Sequence, residues 1–535
     1  MRKRLMSLVI VLAMALALPV ASQMQEAVDY DALYKIKAEG LGPTSQVMDT
    51  LSYLTDVHGP RLTGSTNIRT AAEWAMKRMT EHGLVNVKLE PWGPFGRGWV
   101  NERFSANVVS PTTYPLIGYP LAWTPGTNGM VTAEAVIAVV NSEADFEKFK
   151  GKLNGKFVLS IAPREILPHY EGDAKKYTEE QLADIAKQQI SNAQPSQPGQ
   201  PQIPPQFAAG AAERQFAPKR TQFFKDEGVA VLLEPGRGDD GTVFVGGGGS
   251  RNPNDPPSLP RVALAAEHYG RIYRTLQRGA SVSIELNVQN RFIDGDGMAF
   301  NVVGEIPGTD KATELVMVGA HFDSWHTGTG ATDNAAGSAV MMEVMRILKA
   351  SGLKLRRTVR IALWSGEEQG LLGSRAYAKD HFADSVDQKW VMKPEHAKLS
   401  AYYNIDNGIG AVRGVYLQGN EAIAPVFARW IEPLTSMGVT TLTPRNTSGT
   451  DHLAYDAVGL PGFQFIQEVM DYNTRTHHSN MDVYERAQPQ DMKQIATVVA
   501  FFVYQTANRE QMMPRKPMPP PRRTPQGPGG GRPPM

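Results

Sequence analysis

The stretch LVMVGAHFDSW, residues 315–325, decides how this chain folds. Its opening run is continuously apolar, as in a strand buried on both faces. His321 and Asp323 follow at once, where such a strand ends. The next segment, ATDNAAGS, carries Asp333 and leads into a helix over 336–350, with Val340, Met341, Val344, Ile347 and Leu348 along one side. Further strands are read at TVRIALWS (358–365), LSAYYNI (399–405) and GFQFIQE (462–468), with helices at about 422–437 and 489–506. This alternation predicts an α/β fold, a three-layer α/β/α sheet with helices on both faces.

Acids and imidazoles recur just past these strands. Glu367 and Glu368 stand in SGEEQG, Asp406 in YNIDNG and His478 in THHSNMD. Open α/β sheets bind ligands beyond the carboxyl ends of their strands. Each motif alone carries little: a His-x-Asp pair is common, and an aspartate before a helix is often an N-cap. Four strand ends delivering such groups to one sheet edge point to a metal-dependent hydrolase. Zinc accepts imidazole and carboxylate ligands and keeps a position for water. Two ions about 3.5–4 Å apart need a bridging carboxylate, and Asp333 suits that role. His321 and Asp406 complete one ion, Glu368 and His478 the other. Asp323 is expected to accept the spare N–H of His321. Glu367 is left free to act as general base.

Around this core the chain changes texture. It has 535 residues, a formal net charge of +1 and no cysteine. The length allows two or three domains, the charge gives no reason to expect nucleic acid, and thiolate metal sites are excluded. Residues 1–22 read as a signal peptide: basic Arg2, Lys3 and Arg4, an apolar run from Leu5, then small Ala21 and Ser22. A secreted or periplasmic protein without stable membrane insertion after cleavage is expected. Residues 23–104 are expected to be the N-terminal, largely helical part of the main domain, and HGPRLTGS (58–65), a Gly/Pro-punctuated stretch, reads either as a surface loop or as a loop near a site. Residues 105–290 carry short β-rich runs and predict an inserted domain, with the Gln/Pro-rich 190–220 as a flexible excursion. The catalytic domain is assigned to 291–510, and the Pro/Gly/Arg-rich 511–535 is expected to be disordered.

The motifs HFDSW, TDNAAG, EEQG, NIDN and HHSNMD resemble those of the M28 metallopeptidases, most strongly across 300–507. That family includes secreted zinc aminopeptidases and a carboxypeptidase Q branch. The resemblance implies metal ligands at His321, Asp333, Glu368, Asp406 and His478, and catalytic roles for Glu367 and the supporting Asp323. His478 fits the family spacing to Asp482 better than His477 does. GTDHLAY (449–455) resembles a pocket-lining segment, making Asp451 and His452 candidate substrate-binding residues. The inserted region resembles a protease-associated domain. Two Zn2+ ions are implied, with other divalent metals able to fill the same donors. The expected substrate is a peptide or dipeptide, and a homodimer is compatible with the resemblance. The function implied is an exported exopeptidase, an aminopeptidase first and a carboxypeptidase Q-like dipeptidase second. A glutaminyl cyclase would need only one zinc, and a non-catalytic binding protein would have lost ligands that this chain retains.

Overall fold

The computed structural model describes residues 26–188 and 205–521. One sheet has eight strands: β1 (Val85–Trp92), β2 (Ala299–Ile306), β3 (Lys311–His321), β4 (Arg357–Trp364), β5 (Leu399–Asn404), β6 (Val412–Tyr416), β7 (Thr441–Thr443) and β8 (Gly462–Gln467). The spatial order is β1-β2-β4-β3-β5-β8-β6-β7. The central neighbours β4, β3, β5 and β8 run parallel, whereas β1, β2 and β6 join antiparallel.

The apolar run of β3 alternates between two layers. Val316, Val318 and Ala320 face one core, while Leu315 and Met317 face another. The helices, numbered in chain order, follow from the same patterning. The first core is covered by α1 (Tyr30–Leu41), α2 (Thr66–Glu81), α5 (Ala336–Ala350) and α7 (Pro489–Asn508). Helix α2 starts where Ser65 accepts from the Ile68 N–H, and its Ile68, Ala71, Ala72, Ala75 and Met79 form one buried stripe. Helix α5 is buried all round from Ala336 to Leu348, which makes it the central helix of its layer. Across the sheet, α6 (Leu372–His381) and the short helix His452–Asp456 pack Tyr377 and Tyr455 against Trp364 and Tyr402.

A second eight-stranded sheet is inserted between β1 and β2. The chain enters it on Gly98–Ser110 and leaves on Val282–Ile293, which pair antiparallel from Gly98 opposite Ile293 to Ser110 opposite Ser283. Helix α4 (Ala266–Gln277) packs Tyr269 and Ile272 into its core.

Three expectations are corrected. Residues 23–104 are less helical than expected: β1 follows α2, because Val85, Val87 and Leu89 alternate at the period of a strand. The excursion at 190–220 is helical from Pro205, where α3 (Pro205–Asp226) begins. Its later turns carry Phe216, Phe223 and Phe224, and Phe146 stacks on Phe223 at 4.3 Å between centroids. Those aromatics supply the apolar surface that the Gln/Pro run lacks. The tail, expected disordered from 511, lies against the catalytic domain as far as Pro521. Met513 is buried, and the Arg515 guanidinium donates to the carbonyl oxygens of His396 and Leu399. The stretch expected to be a signal peptide and the final residues of the tail fall outside the described residues, and no helix among those described is long and apolar enough to cross a membrane.

Candidate active site

Parallel pairing aligns the ends of three strands. His321 lies opposite Trp364, and Gly319 opposite Asn404. His321, the Glu367–Glu368 pair and Asp406 therefore leave the sheet at one edge. A kinked turn over Ala331–Ala335, with non-helical backbone at Asp333 and Asn334, brings Asp333 back toward them. His478 arrives on the long connection between β8 and α7.

Asp333 sits between two groups. Its Oδ1 is 3.0 Å from His321 Nε2, which is also 3.3 Å from Asp406 Oδ1. Its Oδ2 is 3.3 Å from His478 Nε2, which in turn is 2.9 Å from Glu368 Oε2. His477 is more exposed and stays 3.8 Å from Asp333. The Nδ1–H of His321 donates to the Asp323 carbonyl oxygen at 3.0 Å. The other ring nitrogen then turns a lone pair toward two carboxylates, which is repulsive unless a proton or a cation lies between. Asp333 Oδ2 and Glu368 Oε1 are buried and accept no hydrogen bond. Oxygen and imidazole donors of this kind, left unsatisfied inside a protein, fit a divalent metal.

The electrostatics agree. Burial, reinforced by neighbouring acids, pushes the Glu367 and Glu368 carboxyls well above the usual carboxylate range. Burial also raises Asp482, beside Asp333, to about 7. Burial opposes the charge on Asp333, yet the hydrogen bond from His321 and the charge of His478 hold its carboxyl below the usual range. Burial lowers the His478 imidazole. Anions are crowded here beyond what the local cations balance, and a bound metal reverses that repulsion.

The shell around these groups departs from expectation. The Asp323 carboxylate is 3.6 Å from His321 Nδ1, so the backbone carbonyl, not the side chain, takes the spare proton. The carboxylate instead accepts from Thr63 Oγ1 at 2.9 Å and from the Glu367 N–H at 3.3 Å. Thr63 Oγ1 also accepts from the Gly366 N–H at 2.8 Å. Gly366 has φ +72°, and a Cβ there would meet Trp92 at 2.7 Å, so the turn that presents Glu367 requires glycine. Of the two readings of HGPRLTGS, the loop near the site is the one that the contacts of Arg61 and Thr63 favour. Its Arg61 is fully buried and donates to the carbonyl oxygens of Leu54, Phe322, Thr329 and Gly330, tying the end of β3 to the segment that leads into the Asp333 turn. Asp482 accepts from the Thr332 and Asp333 N–H groups. Sequence reasoning missed Arg61 and Thr63 as site residues because their partners lie some 260 positions away. Asp451 and His452, the expected substrate-binding residues, are both fully buried and offer no exposed surface. Burial raises the Asp451 carboxyl to about 7 and lowers His452 to about 4.

Comparison with known proteins agrees with this geometry. Residues 301–503 match the family model "Peptidase family M28". Carboxypeptidase Q of Mus musculus is 26% identical over 472 residues, 87% of each chain. Among solved structures, a peptidase M28 precursor from Shewanella amazonensis SB2B superposes with a TM-score of 0.62 at 24% identity, covering 92% of this chain and 98% of that one. A zinc aminopeptidase from Bacillus subtilis superposes with a TM-score of 0.52 at 18% identity, covering 87% of this chain and 95% of its own. Motif, fold and family match coincide on the sheet edge that carries these seven acids and imidazoles, from His321 to His478, and residues 301–503 carry a peptidase family M28 domain, that of a metallo-exopeptidase.

Proposed function

We propose that this is an exported exopeptidase that works with two divalent ions, zinc in the first instance. The observation that carries the reading is the split of Asp333, one oxygen toward His321 and Asp406 and the other toward His478 and Glu368. His321 and Asp406 would hold one ion, His478 and Glu368 the other, and Asp333 would bridge. Ions held by these residues would supply Lewis-acid polarisation of a carbonyl and acidify a water toward neutrality.

The chain's own groups do the rest. Glu367 has no ligand role in this scheme, and its backbone is fixed by Asp323 and by the turn after it. Its carboxylate takes a proton from the attacking water and returns it to the leaving amine. Asp323 and Thr63 hold the turn, and Arg61 holds the strand end against Thr329–Gly330. Export is supported by the basic start and apolar run at the N-terminus.

The first reading of specificity is an aminopeptidase. A carboxypeptidase Q-like dipeptidase is favoured by the relative of that name, which aligns along 87% of this chain, inserted domain included. Mass-spectrometric product analysis on free, N-acetylated and C-amidated peptides and on dipeptides separates them. An aminopeptidase loses activity on acetylation alone. Loss on amidation, or cleavage of dipeptides only, selects the second reading. Cyclisation of N-terminal Gln without peptide cleavage would overturn both.

A further inference from the structure

The loop that carries His478 is held from outside its own domain. His478 has φ +64°, a left-handed conformation that costs a non-glycine residue about 1 kcal/mol or more and persists only where the surroundings over-determine it. Part of that determination comes from the inserted domain. The Val245 N–H donates to the His478 carbonyl oxygen at 3.0 Å. Two residues on, the Asn480 N–H donates to the Val243 carbonyl oxygen, and Asn480 Oδ1 accepts from the Val243 N–H at 2.7 Å. Three residues before His478, Arg475 spreads its guanidinium across the same partner: Nε to Asp173 Oδ2 at 2.6 Å and Nη2 to Asp240 Oδ2 at 3.1 Å. The Arg475 carbonyl oxygen then accepts from Ser479 Oγ, closing the turn around the two histidines.

We infer that Arg475 is a positioning residue through which the inserted domain sets the metal site containing His478. The inference rests on His478 being a metal ligand. An isolated, half-exposed ion pair stabilises little. Arg475 differs because its planar fork reaches two carboxylates at once and so fixes direction as well as distance. Its target is a ligand whose backbone is strained and whose imidazole must meet Glu368 and Asp333 together. His321 and Asp406 have no such dependence, because both leave the central sheet directly. The inserted domain thereby governs one half of the metal centre and leaves the other half to the sheet.

Stepwise zinc binding by the full-length protein, in competition with a chelator, tests this. The variants are Arg475→Ala, Arg475→Lys and the pair Asp173→Asn with Asp240→Asn. His478→Ala marks the signature of a lost ligand, and the melting temperature of metal-free protein reports folding. The expected result is that Arg475→Ala weakens the step abolished in His478→Ala by about tenfold or more. The other step stays within about twofold, and metal-free melting barely moves. Arg475→Lys restores only part of the loss, since an ammonium cannot span both carboxylates. The Asp173/Asp240 pair reproduces the effect from the far side, so the test survives if Arg475→Ala folds poorly. Unchanged zinc steps in both would overturn the inference, as would an equal loss at both steps together with lowered metal-free melting. A wild type with a single zinc step refutes the two-ion reading, not the brace. The brace then stands or falls on whether Arg475→Ala weakens that one step.

Discussion

At the scale of single residues, position relative to strand ends separates the working groups from ordinary acids. Glu367 and Glu368 are neighbours, yet only Glu368 meets His478, at 2.9 Å. Glu367→Gln should therefore keep its zinc content and lose about 10²–10⁴-fold in turnover. Zinc analysis beside steady-state kinetics checks this, and retained turnover would remove Glu367 from the role of base. Thr63→Val removes the acceptor for the Gly366 N–H and a donor to Asp323. It should lower stability by about 1–3 kcal/mol and reduce kcat more than it raises KM. A variant with a changed KM alone would contradict a role in holding the turn. His321, Glu368 and Asp406 stood out in the sequence because each closely follows an apolar run, whereas Asp333 and His478 were picked out by their motifs. Thr63 and Arg61 were not, since their work is to satisfy buried backbone groups of distant segments, which no local pattern records.

At the scale of elements, helix α6 is fastened to the sheet edge by a charge cluster. His381 stacks on Tyr377 and meets Glu90 of β1 and also Glu395. Burial lowers the His381 imidazole, but the hydrogen bonds to Glu395 and Glu90 outweigh it and push it up to about 9 from 6.5. A raised histidine contributes stability that is fully present below pH 6.5 and lost as pH rises through about 9. The stability gap between wild type and His381→Gln should accordingly shrink between pH 6.5 and 9.5, as read by denaturant titration at both. A gap of constant size would show that the cluster is not titrating. Elements with strong period were read correctly, α5 and β3 above all. The short β1 was absorbed into the preceding helix because one strand of moderate polarity gives a weak signal after a long amphipathic one. Helix α3 was hidden by the Gln/Pro run before it, though Phe216, Phe223 and Phe224 return at helical spacing.

At the scale of the molecule, the alternation of strands and helices declared the α/β layers, whereas the contacts between its parts were not legible. The inserted domain meets the His478 loop through Asp173, Asp240, Val243 and Val245, to which no motif in the sequence points. The tail read as disordered because its composition lacks periodicity. Its described part is ordered by Met513 in the core and by Arg515 on backbone carbonyls. Ending the chain at Gln511 should lower stability by about 2 kcal/mol, the burial of one methionine side chain. Equal denaturation midpoints with and without the tail would contradict that. The central claim is a two-ion centre bridged by Asp333, and metal stoichiometry tests it most directly. Elemental analysis of active, fully loaded protein, with Asp406→Ala and His478→Ala alongside, should return two metals per chain in the wild type and one tightly held metal in each variant. A fully active wild type with a single metal, unaffected by one of those substitutions, would contradict the account.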